Sequence, residues 1–177
     1  MFHLVIRNDC DWNEDLRFAK IANPLWKKYL CEKFDTDNVV SIEDNISQQF
    51  LGVGDFIVDT VLKIEVKTRK EWVYNCFKND VALETNANVE WNRTGSAFLN
   101  CKADLFGYGF LTYNDSKLTD PQLYVLPTLQ EWFRDNKDKY PDRKTRMNNG
   151  KYHTTFKAIP KSHISKFRFK FLDELFS

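Results

Sequence analysis

The chain is poor in the features that mark several protein classes. No run of 18 or more apolar residues occurs in its 177 residues, so no helix is expected to span a membrane. The first residues, Met1-Phe2-His3-Leu4-Val5-Ile6-Arg7, lack a basic leader and a cleavage site, so a signal peptide is not expected. Five prolines and six glycines are too few for a long disordered linker. Four cysteines (Cys10, Cys31, Cys76 and Cys101) are widely spaced, and none forms a Cys-x-x-Cys pair. The three histidines are not grouped near them, which argues against a zinc site. A reduced, intracellular (cytoplasmic) protein with buried thiols is expected, because a chain of this length does not need disulfide staples. Gly52-Val53-Gly54 lacks the third glycine of a dinucleotide loop. A strong basic excess is also missing, since the formal net charge is +1.

What is present is material for one domain, 1–177, with a substantial core: 42% of residues are hydrophobic and 15% aromatic. Asn13 to Phe34 carries apolar residues at spacings of three and four and predicts a helix, with Pro24 kinking or dividing it. Val39–Ile42 and Val81–Glu84 read as short strands, and a strand is expected at 105–111. Gln122–Leu126 predicts a further strand, followed by a helix over Leu129–Asn136 capped by Thr128. Asp138–Gly150 is polar and reads as a loop, and Thr154–Ile159 as an edge strand. Ser162 is a candidate cap for a last helix, while the alternation of Phe167, Phe169 and Phe171 suits a strand. The expected architecture is α/β, a central mixed sheet of four to five strands flanked by helices.

The chemistry concentrates in Gly54-Asp55-Phe56-Ile57-Val58 and Lys63-Ile64-Glu65-Val66-Lys67. A two-residue turn at Asp59-Thr60 would pair Val58 with Val61 and turn Asp55 away from Glu65. A three-residue loop, Asp59-Thr60-Val61, pairs Phe56 with Ile64 and Val58 with Leu62. It gathers the apolar residues on one face and Asp55, Glu65 and Lys67 on the other. A slip of one residue would reverse every side chain, so the apolar match selects the second register. Two carboxylates suit Mg²⁺, for which Mn²⁺ can substitute, and a lysine beside them can orient water or offset developing charge. Glu84 is a further carboxylate if its strand neighbours the hairpin.

The order Gln48 or Gln49, Gly52-Val53-Gly54-Asp55, Glu65-Val66-Lys67, Leu83-Glu84 resembles the PD-(D/E)XK, or restriction-endonuclease-like, nuclease superfamily, in particular small phage and bacterial members. Thr94-Gly95 and Lys102-Ala103-Asp104 continue the likeness, as do Leu123–Pro127 and Phe156–Pro160. The resemblance implies a Mg²⁺-dependent endonuclease acting on DNA. Asp55 and Glu65 would be metal ligands and Lys67 a catalytic residue, with Gln48, Gln49 and Glu84 accessory. Lys102, Arg143, Lys144 and Arg146 would hold the phosphate backbone. RNA as substrate, and pairing of two chains to cut two strands, stay open. The family usually has a Glu in its first helix; Asn23 stands near that place, with Glu14 and Asp15 more than two turns earlier. A catalytically inactive module of the same fold, binding nucleic acid or a protein, is the alternative.

Overall fold

A computed structural model describes residues 12–42, 54–86, 97–112, 117–146 and 152–171. Gln48 and Gln49 lie outside these residues, as does Thr94-Gly95. The opening helix, α1 (Trp12–Phe34), continues through Pro24 rather than dividing there. Ala22, Trp26 and Leu30 on its inner face are buried, and this packing sustains a helix whose local propensity is interrupted.

Strands β1 (Val39–Ser41), β2 (Phe56–Val58) and β3 (Leu62–Lys70) form an antiparallel meander. After β3 the chain passes through α2 (Glu71–Phe77), β4 (Asp80–Asn86) and α3 (Ala97–Asn100), then enters β5 (Leu105–Leu111). β5 lies parallel to β3, which demands a long crossover of this kind. β6 (Leu118–Val125) returns antiparallel to β5, completing a five-stranded mixed sheet in the order β1-β2-β3-β5-β6. α4 (Leu126–Asn136) and a short 3-10 turn follow, then β7 (Asp142–Arg146) and β8 (Tyr152–Pro160). β4, β8 and β7 make a separate three-stranded sheet, closed by α5 (Lys161–Ile164) and a 3-10 turn over Ser165–Phe167.

Period-two alternation sends the two faces of the large sheet into different cores. One face, with Ile64, Leu105 and Leu123, packs on α1. Here the Trp26 ring rests on Gly107 and Gly109, where an added Cβ would come within 3.0 and 3.2 Å of it, and its indole N–H donates to Thr68 Oγ1 at 2.8 Å. The other face, with Phe106, Tyr108, Phe110 and Tyr124, is covered by Leu129 and Phe133 of α4 and by Val81, Leu83 and Ile159 of the small sheet.

Several expectations are revised. Asp142–Arg146 is a strand, because β8 satisfies its backbone although its side chains are polar, and a charged sequence is what an edge strand favours. β8 is the centre of its sheet rather than an edge. α4 begins at Leu126 and not after Thr128: Pro127 fits the first turn, where no N–H is needed, and Thr128 Oγ1 instead donates back to Val125 O at 3.1 Å. Among the described residues after α5, up to 171, there is neither a longer helix nor a strand. Arg168 makes one bridge with Tyr124, and the Phe169 N–H donates to Leu123 O at 2.8 Å. Of the three cysteines described, none in a disulfide, Cys101 is buried but Cys76 is exposed. No helix among the described residues is long and apolar enough to cross a membrane.

Candidate active site

The hairpin adopts the three-residue-loop register: Phe56 pairs with Ile64, Ile57 with Lys63 and Val58 with Leu62. Asp59 and Thr60 take positive φ values of 49° and 65°, and the Val61 N–H closes the loop on Val58 O at 3.1 Å. One rung beyond the last pair, Asp55 comes beside Glu65.

Gly54 makes this approach feasible. Its φ is +104°, and a Cβ there would lie 2.8 Å from Ile64 O, so only glycine lets the chain pass so close to β3. Asp55 is then clamped. Its N–H donates to Ile64 O at 2.8 Å, its C=O accepts from Ile42 N–H at 2.9 Å, and its Oδ2 accepts from Val66 N–H at 2.8 Å. From the far side, Asp104 braces the start of β3: its Oδ2 accepts from Lys63 N–H and its own N–H donates to Lys63 O, each at 2.8 Å.

Glu65 projects from the same face, and its carboxyl is pushed up to about 8. Burial is the largest cause, followed by the Asp55 carboxylate; Lys67 and a hydrogen bond from Cys101 oppose them, and Glu84 adds a smaller push upward. The Cys101 thiol donates to Glu65 Oε2 at 3.8 Å. Burial also raises that thiol to about 12, with Glu65 as the next cause, so it is a donor and not a thiolate.

Lys67, two residues on, reaches toward Glu84, with Nζ 3.9 Å from Oε2. The strand that carries Glu84 does not neighbour the hairpin, the condition on which it was a candidate carboxylate. Glu84 comes from β4 in the small sheet, and the two sheets meet over the Lys67 side chain. Lys67 is about half exposed at 46%, so this pair orients the ammonium more than it stabilises the fold.

The structure therefore brings Asp55, Glu65, Lys67 and Glu84 together. It adds Cys101, which no motif marked; its one cue was its place just before Lys102-Ala103-Asp104. Among the described side chains of α1 the only acid is Glu32, which is exposed and pairs with Lys28 at 3.9 Å. The side chains of Glu14 and Asp15 lie outside the described residues. So does that of Arg146. Lys102 and Lys144 are exposed, and Arg143 is half-buried with its guanidinium 5.1 Å over the Phe77 ring. Tyr108 and Trp132 belong to the packing: Tyr108 is buried, and Trp132 lies 5.8 Å from the Phe167 ring.

Among the described residues no group of three or more His, Cys, Asp or Glu side chains is placed to hold a metal ion. Asp55 and Glu65 are a donor set that could hold Mg²⁺, which usually takes one or two carboxylates and completes its shell with water and substrate phosphate. Their mutual repulsion is the electrostatic condition that a divalent cation relieves. No protein-family model matches this chain, and no curated protein matches it.

Proposed function

We propose that the protein is a Mg²⁺-dependent nuclease that hydrolyses phosphodiester bonds in DNA. The observation that carries this reading is the convergence of two mutually repelling carboxylates, Asp55 and Glu65, with Lys67 on one face of a braced hairpin. The mixed sheet, with a parallel strand beside the Glu-x-Lys strand, agrees with the restriction-endonuclease-like resemblance.

In this reading Asp55 and Glu65 are the metal ligands. The backbone bonds to Asp55 and the Cys101 thiol on Glu65 fix the two carboxylates before substrate arrives, so little reorganisation is needed. Bound there, Mg²⁺ supplies Lewis acidity toward a phosphoryl oxygen and lowers the pKa of a water. Lys67 holds an ammonium beside the reacting phosphate, where it orients the attacking water and offsets negative charge. Glu84 keeps that ammonium from swinging into solvent.

A plasmid-nicking assay with Mg²⁺ or Mn²⁺ tests this. Wild type should nick, and Lys67→Ala should lose about 10²- to 10³-fold in rate, the usual effect of deleting one preorganised charge-stabilising donor. Labelled RNA in the same assay separates a ribonuclease from a deoxyribonuclease. The second reading, a non-catalytic module of the same fold that binds nucleic acid or a protein partner, is favoured by the absence of an inward-facing acid among the described side chains of α1. Cleavage by neither protein, with duplex binding retained, would establish it and refute the enzyme.

A further inference from the structure

Beyond Lys67 the same face of β3 carries Arg69, which neither the motif nor the proposed chemistry uses. Alternation places Glu65, Lys67 and Arg69 in one row, so Arg69 stands roughly 13 Å from Glu65 at ~3.3 Å per residue. Its guanidinium lies 5.3 Å over the Phe156 ring of β8. Its Nε is buried and has no hydrogen-bond partner among the described residues. A nitrogen so buried is out of a ligand's reach, but Arg69 as a whole is only partly buried, and a ring face does not neutralise the charge that the rest of the guanidinium carries.

The small sheet repeats the arrangement. Phe156 pairs in register with Glu84 on one side and Arg143 on the other. Glu84 meets Lys67, Phe156 meets Arg69, and Arg143 lies over Phe77 of α2. Lys67 and Arg69 thus stand where the two sheets meet, and Arg143, one strand further across the small sheet, lies against α2, so that the three cations follow one another away from the carboxylate pair. Two of the three are guanidinium groups held on aromatic rings, and neither has an ion-pair partner among the described residues. A planar guanidinium fork held flat by a ring, with no acid to bind, suits phosphate oxygens.

We infer that Arg69, with Arg143 beyond it, is a phosphate clamp that holds the DNA backbone a few nucleotides from the scissile bond. This rests on the nuclease reading and assigns the path of its substrate.

The test is equilibrium binding of a short fluorescein-labelled DNA duplex in EDTA, where no cleavage occurs, across a range of salt concentrations. Wild type, Arg69→Gln, Arg69→Lys and Arg143→Gln are compared, with Lys28→Gln on α1 as a control of equal charge change. Arg69→Gln should weaken binding about tenfold or more and flatten the slope of log Kd against log salt by about 0.9, the loss of one phosphate contact. Arg69→Lys should keep the slope and lose part of the affinity, Arg143→Gln should flatten the slope likewise, and Lys28→Gln should change neither. Thermal melts establish that each variant is folded; if Arg69→Gln is not, Arg143→Gln and Arg69→Lys decide. Wild-type affinity and slope in the folded arginine variants would overturn the clamp while leaving the nuclease intact. A wild type that neither binds nor cuts DNA would overturn both.

Discussion

Replacing Glu65 by glutamine should make the protein more stable, and increasingly so as pH rises. The Glu65 carboxyl moves from an ordinary 4.5 to about 8 in the folded chain. Between those values the folded state keeps a proton that the unfolded state gives up. Stability contributed by this group is therefore complete below about 4.5, falls as pH rises, and is fully lost above about 8. The ceiling is about 5 kcal/mol, at 1.36 kcal/mol per tenfold change in proton affinity. Part of Glu65 touches solvent, so about 2 kcal/mol is the expected difference between pH 5 and pH 8.5. Glutamine cannot ionise and escapes it. Urea denaturation of wild type and Glu65→Gln from pH 5 to pH 9 reads the effect directly, provided the m-values agree. Wild type should lose stability relative to the variant across that window. Parallel stability curves would refute the claim that burial and Asp55 hold the proton on Glu65. A second arm bears on the metal: Mg²⁺ at pH 8 should restore stability to wild type, by RT ln(1 + [L]/Kd), and not to the variant.

Other outcomes follow from single contacts. Gly54→Ala places a Cβ 2.8 Å from Ile64 O at a φ of +104° and should cost about 1–3 kcal/mol, read from the shift in urea midpoint. Thr68→Val leaves the buried Trp26 indole N–H without its 2.8 Å acceptor; a loss of about 1–3 kcal/mol in thermal unfolding is expected, and Thr68→Ser should recover most of it. Apparent Mg²⁺ affinity, measured by calorimetry, should rise with pH through about 8, because Glu65 must release its proton to bind; affinity independent of pH would count against Glu65 as a ligand.

The hairpin was legible from sequence because its information is local. Phe56, Val58, Leu62, Ile64 and Val66 alternate without error, and a slip of one residue would turn Asp55, Lys63 and Glu65 into the apolar core under α1. The three-residue loop then follows from counting. The long first helix was legible for the same reason, apart from Pro24, whose break is overridden by the anchoring of Trp26 and Leu30. Non-local pairings were not legible. β7 looks like a loop because its residues are charged, and β8 looks like an edge because it is mixed, yet each is defined by the other. Glu84 was a sensible candidate reached by a different route, since nothing in 80–86 says which sheet that strand joins. Cys101 and Arg69 carried no local signal: one matters because a turn after α3 lies against Glu65, the other because β8 slides a ring beneath it.

The carboxylate pair sits in a hairpin closed by only three residues, whereas Cys101 reaches Glu65 through a pairing of β3 with β5 that spans the whole intervening crossover. Short loops close at lower entropic cost, so the hairpin can form early, with both carboxylates still hydrated. Glu65 becomes desolvated only when β5 and the turn before it dock. Its ionisation therefore weighs on the last part of the folding reaction, and rising pH accelerates unfolding more than it slows folding. The side chain proposed to bind the metal is thus also a timer on the lifetime of the native state.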